Sequence, residues 1–121
     1  MIRVQPNQYG KAGYVSFQVF EQGVGLVIQE NTVVNIPVTA KNGVYTFEVD
    51  TEEFTKISVS TNGSPVVTLQ DLDPVFQTPV GPSFQVGFSN GLSSNAYVTQ
   101  THFVQVQIQA SQGTIVNLFF S

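Results

Sequence analysis

Apolar and polar side chains alternate with a period of two residues along four segments of the chain. The alternation is clearest in residues 103–109, FVQVQIQ, and it recurs in residues 14–20, 33–39 and 44–49. Strict alternation is typical of antiparallel strands that bury one face. The apolar positions of these strands and of a weaker one at 84–88 form the predicted core: Val15, Phe17, Val19, Val34, Ile36, Val38, Phe47, Val49, Phe84, Val86, Val104, Val106 and Ile108.

Weaker strand signals and turn residues fill the rest of the chain. The further predicted strands are residues 2–5, 25–30, 54–60, 65–70, 84–88 and 114–120. The dipeptide Asn42-Gly43 separates two alternating runs, which is a strong hairpin signal because both residues tolerate positive φ. Asn62-Gly63 and Gly113 predict two more hairpins.

Prolines add two constraints on the topology. Pro37 falls inside an alternating run, and it has no amide to donate, so that strand is predicted to lie at a sheet edge. Residues 72–83 hold three of the six prolines and predict a long loop that carries the chain from one sheet to the other. No window has a helical period. We therefore expect an all-β fold over residues 1–121: one antiparallel two-sheet sandwich of eight or nine strands, with jelly-roll or Ig-like Greek-key order.

Composition and charge narrow the possible partners. Apolar residues make up 41% of the chain and include 10 Phe, enough for a core, whereas charged residues make up only 10%. The net charge is −4, and the basic residues are scattered: Arg3, Lys11, Lys41 and Lys56. Binding to nucleic acid or to an anionic membrane surface requires clustered cations, so neither partner is expected. No apolar stretch resembles a signal peptide or reaches the roughly 20 residues of a membrane span, which predicts a soluble protein without membrane insertion.

Residues suited to catalysis are few. His102 is the single histidine, there is no cysteine, and no Gly-x-Ser-x-Gly motif occurs. A nucleophilic triad needs a histidine placed between an acid and a nucleophile, and nothing in the sequence indicates that arrangement. We therefore predict no catalytic residues, no cofactor and no enzymatic activity.

Acidic residues form two clusters, one at Asp50, Glu52 and Glu53 and one at Asp71 and Asp73. Their spacing does not match an EF-hand loop, and the pattern favours solvated loop charge. The alternative is a Ca²⁺ site, because two acidic loops at one end of a sandwich supply the oxygen ligands that this ion prefers. The candidate ligands are Asp50, Glu52, Asp71 and Asp73.

The C-terminal part of the chain carries no charge: no Asp, Glu, Lys or Arg follows Asp73. Residues 103–109 present a row of Gln on their polar face, and residues 114–120 are apolar on both faces. A strand that is apolar on both faces is covered on both, which in a small domain points to a second subunit. The predicted interface residues of a homo-oligomer are Gln105, Gln107, Gln109, Val116, Leu118 and Phe120.

The segments VQVQIQ, NIPVTA and ISVSTNG, the Phe-rich core, and the absence of Cys and Trp give the chain a characteristic composition. In this respect it resembles the small β-sandwich structural proteins of virus and bacteriophage particles, of the minor capsid, penton or decoration type. The resemblance implies a non-enzymatic virion subunit that forms trimers or pentamers and contacts a neighbouring coat protein. The alternatives are a ligand- or carbohydrate-binding module and a cupin-like enzyme, the latter disfavoured by the single histidine.

Overall fold

In the computed structural model of the chain, residues 3–5, 13–29 and 35–121 are described. All regular secondary structure in these residues is β-strand, as predicted. The 13 strands are β1 (Arg3–Val4), β2 (Gly13–Glu21), β3 (Val24–Gln29), β4 (Ile36–Thr39), β5 (Tyr45–Asp50), β6 (Lys56–Thr61), β7 (Val66–Asp71), β8 (Phe84–Gln85), β9 (Phe88–Ser89), β10 (Leu92–Ser93), β11 (Tyr97–Val98), β12 (Phe103–Gln109) and β13 (Ile115–Phe120).

The strands form two sheets that pack face to face. The smaller sheet has the order β1-β5-β12-β7-β8, and its pairings are antiparallel except that β1 runs parallel to β5. The larger sheet has the order β4-β3-β2-β13-β6-β10-β9, with β11 also paired to β6. Because the core lies between the two sheets, the predicted antiparallel sandwich is confirmed.

Four pairings are nested along the chain: β2 with β13, β5 with β12, β6 with β11, and β7 with β8. Nested pairs describe one long antiparallel hairpin. The additional pairings of β13 with β6 and of β12 with β7 roll this hairpin into two sheets. The result is the strand order of a jelly roll, one of the two orders that the sequence left open.

The core consists of the inward-facing side chains of both sheets. In its centre, Val106 of β12 lies in register between Phe47 and Leu69, and all three side chains are fully buried. The predicted core positions are buried except for Ile36 and Phe84, which are partly buried and pack against the core. Val34 lies outside the described residues.

The predicted hairpins are wrong, because the strands that flank each turn do not pair with each other. One of the turns nevertheless has the predicted geometry. Asn42 and Gly43 have φ of 53° and 79°, and they close a bridge between Lys41 and Val44. The strands on either side, β4 and β5, nevertheless belong to different sheets. The turns at Asn62-Gly63 and Gly113 likewise connect β6 to β7 and β12 to β13 across the sandwich. A local turn signal fixes the reversal of the chain, whereas burial of the flanking strands decides the sheet each one joins.

Of the two predictions based on prolines, one is confirmed and the other is wrong. The strand that contains Pro37, β4, lies at the edge of the larger sheet as predicted. The loop at residues 72–83 does not cross between the sheets, because the strands that it joins, β7 and β8, are neighbours in the smaller sheet. The crossing comes later, at Val86 and Gly87, between β8 and β9.

Replacing Val106 with Asp is expected to lower the free energy of unfolding by about 3 kcal/mol or more, because the carboxylate would be buried without a partner. Gln107→Asp adds the same group one residue later, on the outward face of β12, and is the matched control with a much smaller loss. Urea denaturation of both variants measures the difference. Equal losses would show that the inward and outward faces of β12 are misassigned.

Candidate functional site

The acidic residues of the predicted Ca²⁺ site do not converge. Asp50 ends β5 and Asp71 ends β7, on either side of β12. The alternation of side chains directs Asp50 outward and Asp71 inward, so the two carboxylates lie on opposite faces of the smaller sheet. Across residues 3–5, 13–29 and 35–121, no group of three or more His, Cys, Asp or Glu side chains is placed to hold a metal ion.

The acidic residues outside the core stabilise turns instead. Asp50 Oδ1 accepts a hydrogen bond of 3.0 Å from the amide of Glu52, which itself has a φ of 54°. Asp73 Oδ1 accepts bonds of 2.8 and 2.9 Å from the amides of Val75 and Phe76. A short carboxylate commonly holds a turn in this way. The alternative of a Ca²⁺ site at Asp50, Glu52, Asp71 and Asp73 is therefore wrong for the described residues, because these side chains do not come together.

Asp71 connects the two sheets. Its carboxylate is 5% exposed and accepts three hydrogen bonds of 2.8 Å, from the Tyr97 hydroxyl, the Thr99 hydroxyl and the Gln100 amide. Tyr97 lies in β11 of the larger sheet, whereas Asp71 ends β7 of the smaller one. The carboxylate thus fixes the path of the chain between β11 and β12. Extending the period-two pattern of residues 65–70 by one position places Asp71 inward, a signal that sequence reasoning missed.

The environment of Tyr97 disfavours its ionised form. Burial raises the pKa of Tyr97, and the hydrogen bond to Asp71 and the charge of that carboxylate raise it further. A tyrosinate at this position would lose hydration and would face a second negative charge. Tyr97 is therefore a hydrogen-bond donor over the ordinary range of pH.

A cleft of about 300 Å³ opens above Asp71, between the segment that precedes β8 and strand β11. Its walls are mostly apolar, and two of its rings, Phe84 and Tyr97, pack against each other with centroids 5.7 Å apart. The residues that line the cleft are Asp71, Val80, Gly81, Pro82, Ser83, Phe84, Tyr97, Val98 and Gln100. The cleft combines an aromatic wall with a carboxylate floor whose two oxygen atoms both already accept hydrogen bonds.

His102 belongs to a turn. Its φ is 59°, its amide donates to Thr99 Oγ1 at 3.1 Å, and its Nδ1 lies 3.5 Å from Thr51 Oγ1. Its carbonyl oxygen accepts a bond of 2.9 Å from the Thr51 amide. These contacts give the residue a structural role at the start of β12.

The predicted interface residues lie on different surfaces. The side chains of Val116, Leu118 and Phe120 are at most 1% exposed and form part of the chain's own core, so they are not available to a second subunit. The Gln row, Gln105, Gln107 and Gln109, lies on the outward face of the smaller sheet. These residues were predicted to form one interface because no charge follows Asp73 and residues 114–120 are apolar on both faces, but β12 and β13 belong to different sheets.

The outward face of the larger sheet is organised around Asn117. Its Oδ1 atom accepts hydrogen bonds of 2.9 Å from Tyr14 Oη and from Ser16 Oγ, and its Nδ2 atom donates to Ser60 Oγ at 3.3 Å. Ser16 and Ser60 are its register partners on the two neighbouring strands, β2 and β6. The polar groups at the centre of this face are therefore largely paired with one another.

Apolar side chains surround this polar cluster. Phe119 is 44% exposed, and its ring lies 5.4 Å from that of Tyr14. Leu92, in register with Ser60, is 62% exposed. In the described strands of the larger sheet, the charged residues are Glu21 at the end of β2 and Lys56 at the start of β6. The centre of the face is thus flat, partly apolar and uncharged.

Comparison of the chain with protein-family models, with curated proteins and with solved structures finds no match. Within the described part of the chain, no helix has the length and hydropathy needed to cross a membrane.

Asp71→Asn and Asp73→Asn are expected to lower the free energy of unfolding by different amounts, although the substitution is the same. At position 71 an amide nitrogen replaces one of two accepting oxygens and faces a donor, which should cost about 2 kcal/mol of unfolding free energy. At position 73 one oxygen atom accepts both turn bonds, and an Asn oxygen can take its place. Thermal or urea unfolding of both variants measures the difference. A smaller loss at position 71 than at 73 would contradict the bridging role of Asp71.

Tyr97→Phe should reduce the loss of stability at alkaline pH. The pKa of Tyr97 is raised in the folded state, so its contribution is complete below the unfolded value of about 10 and is lost as pH rises above it. The variant loses one hydrogen bond at neutral pH, but its unfolding free energy should fall less steeply above about pH 10. Urea titrations at several alkaline pH values measure this slope. Identical slopes for both proteins would rule out the raised pKa.

Proposed function

We propose that the chain is a non-enzymatic structural subunit that associates with further copies through the outward face of the larger sheet. The observation that carries this proposal is the uncharged centre of that face, where Asn117 pairs with its neighbours and Phe119 and Leu92 are exposed. A role in a virus or bacteriophage particle, as a minor capsid, penton or decoration subunit located in the virion, is the setting that the compositional resemblance supports. The partners in that setting are two or four further copies and a neighbouring coat protein.

The energetics of desolvation favour this face. Burying a Lys or Glu side chain at an interface costs several kcal/mol unless it is well paired. The hydrogen bonds of Asn117 lie within the sheet, so covering them removes fewer contacts with water. Burial of apolar surface on Phe119 and Leu92 contributes roughly 25 cal/mol per Å². Association through this face is therefore favoured by the burial of apolar surface and opposed by only a small cost of desolvating polar groups.

The cleft above Asp71 gives the alternative, a carbohydrate-binding module, less support. A sugar ring needs an aromatic face together with several hydrogen-bonding groups for its hydroxyls. The cleft offers the rings of Phe84 and Tyr97, but both oxygen atoms of Asp71 already accept bonds from within the chain. Most of the remaining lining is apolar. Its chemistry suits an apolar side chain better than a saccharide.

Light scattering of the unmodified protein at micromolar concentration should give a multiple of the 13.2 kDa chain mass. Phe119→Lys places a charge at the centre of the proposed face and should raise the dissociation constant at least about tenfold. Gln109→Lys adds the same charge to an exposed position on the other sheet and is the matched control. Circular dichroism checks that both variants fold. A mass of one chain at every concentration, or equal effects of the two substitutions, would overturn the proposal.

A further inference from the structure

The loop at residues 72–83 is closed by hydrogen bonds at its base. Leu72 and Pro79 form a β-bridge, and the Asp73 amide donates to the carbonyl oxygen of Thr78 at 2.7 Å. The Gln77 amide donates in turn to the Asp73 carbonyl oxygen, also at 2.7 Å. The loop therefore extends the β7–β8 hairpin as an ordered arm.

The tip of this arm holds two apolar side chains in water. Val75 and Phe76 are 76% and 77% exposed, more than any other large hydrophobic residue in the described part of the chain. The Asp73 carboxylate fixes their backbone by accepting both of their amide hydrogen bonds. Exposed apolar side chains are typical of interaction sites, and a backbone that is already fixed reduces the conformational entropy lost on binding.

The cleft at the base of the same arm is held open from both sides. On one side, Gln70 Nε2 lies 3.1 Å from the carbonyl oxygens of both Val80 and Gly81. On the other side, Asp71 holds Tyr97 through its hydroxyl. The cleft is therefore preformed, and its volume of about 300 Å³ lies at the lower end of the range for small-ligand pockets. This size suits one large side chain.

We propose that Phe76 of one copy of the chain inserts into the cleft of a second copy, between Val80 and Val98 and against the rings of Phe84 and Tyr97. The inference rests on the proposed function, self-assembly, and adds a contact distinct from the outward face around Asn117. Each chain then carries both an anchor, defined as Val75 and Phe76, and a receptor, defined as the cleft above Asp71. Phe76 does not fill its own cleft, since most of its side chain is exposed to water.

The chemistry of the two parts is complementary. An inserted phenylalanine meets two aromatic rings, whose preferred edge-to-face packing adds to the gain from burying its apolar surface. The positive edge of its ring can face the carboxylate at the floor of the cleft. Asp71 lines the cleft and Asp73 lies at the base of the arm, and both already accept hydrogen bonds within the chain. Docking of two chains with the same negative net charge therefore desolvates little additional charge.

The absence of cysteine from the chain allows a direct test by disulfide cross-linking. Val75→Cys, which leaves Phe76 in place, and Val98→Cys are made as separate variants, mixed in equal amounts and oxidised. Cross-linking requires the two Cα atoms to approach within about 7 Å. If Phe76 occupies the cleft, this mixture should yield a cross-linked dimer faster than either variant alone. Gln109→Cys, which places a thiol at an exposed position on the smaller sheet, is the control partner for Val75→Cys and should cross-link slowly.

Association provides the second measurement. Phe76→Asp should raise the dissociation constant of the unmodified assembly at least about tenfold, whereas Val66→Asp, at an exposed apolar position at the start of β7 in the smaller sheet, should have less effect. An assembly that is sensitive to Phe119→Lys but shows neither selective cross-linking nor sensitivity to Phe76→Asp would overturn this inference and leave the proposed function intact. An assembly sensitive to Phe76→Asp but not to Phe119→Lys would overturn the proposed face and retain the inference. A single-chain mass at every concentration would overturn both.

Discussion

Strands β12 and β13 each form hydrogen bonds along both edges, and the sandwich depends on this double pairing. β12 lies between β5 and β7 in the smaller sheet, and β13 lies between β2 and β6 in the larger one. Both strands also contribute fully buried side chains to the core, among them Val106 and Leu118. Buried backbone N–H and C=O groups require hydrogen-bond partners, and the neighbouring strands β5, β7, β2 and β6 supply them. β12 and β13 thus determine the positions of β2, β5, β6 and β7.

Two polar side chains that the fold buries or covers, Asp71 and Asn117, are paired inside the chain. Asp71 accepts three hydrogen bonds where the sheets meet, and Asn117 joins three strands of the larger sheet. Such pairing avoids the cost of unsatisfied buried polar atoms. It also leaves two surfaces with little charge to desolvate, namely the outward face of the larger sheet and the cleft above Asp71. The same side-chain chemistry therefore supports both the fold and the proposed association.

The alternation of side chains was sufficient to predict the longer strands, their inward faces and the two-sheet class, but the described residues form 13 strands rather than the eight or nine expected. It could not predict which strands pair, because a turn such as Asn42-Gly43 has the same local geometry whether or not its flanking strands share a sheet. Because residues 114–120 are apolar on both faces, their pattern does not show which face points inward, and Val116, Leu118 and Phe120 were assigned to an interface although they face the core. Very short strands such as β11 give no periodic signal at all.

The burial of single polar residues could not be predicted from the sequence either. Glu48 lies on the outward side of β5, as the alternation predicts, yet it is 1% exposed. The strand beside it, β1, places Arg3 in register with Glu48, and the pairing is parallel. Neither segment carries a sequence signal that would predict a parallel pairing between residues so distant in the chain. The cleft is assembled from segments before β8, at β11 and at the end of β7, so it could not be located before the topology was known.

The nested order of the strands also determines how late in folding the native contacts can form. The hydrogen bond between Ser16 and Asn117 spans 101 positions, and β2 gains its native neighbour β13 only when that separation has been closed. Closing a long loop costs conformational entropy before any contact compensates for it, and folds dominated by distant contacts reach the native state slowly. During synthesis on a ribosome, β5 and β7 would both be exposed before the strand between them emerges. The interval before β12 and β13 emerge is thus the period in which unpaired strand edges are most open to misassociation, and it is set by topology rather than by the stability of the finished protein.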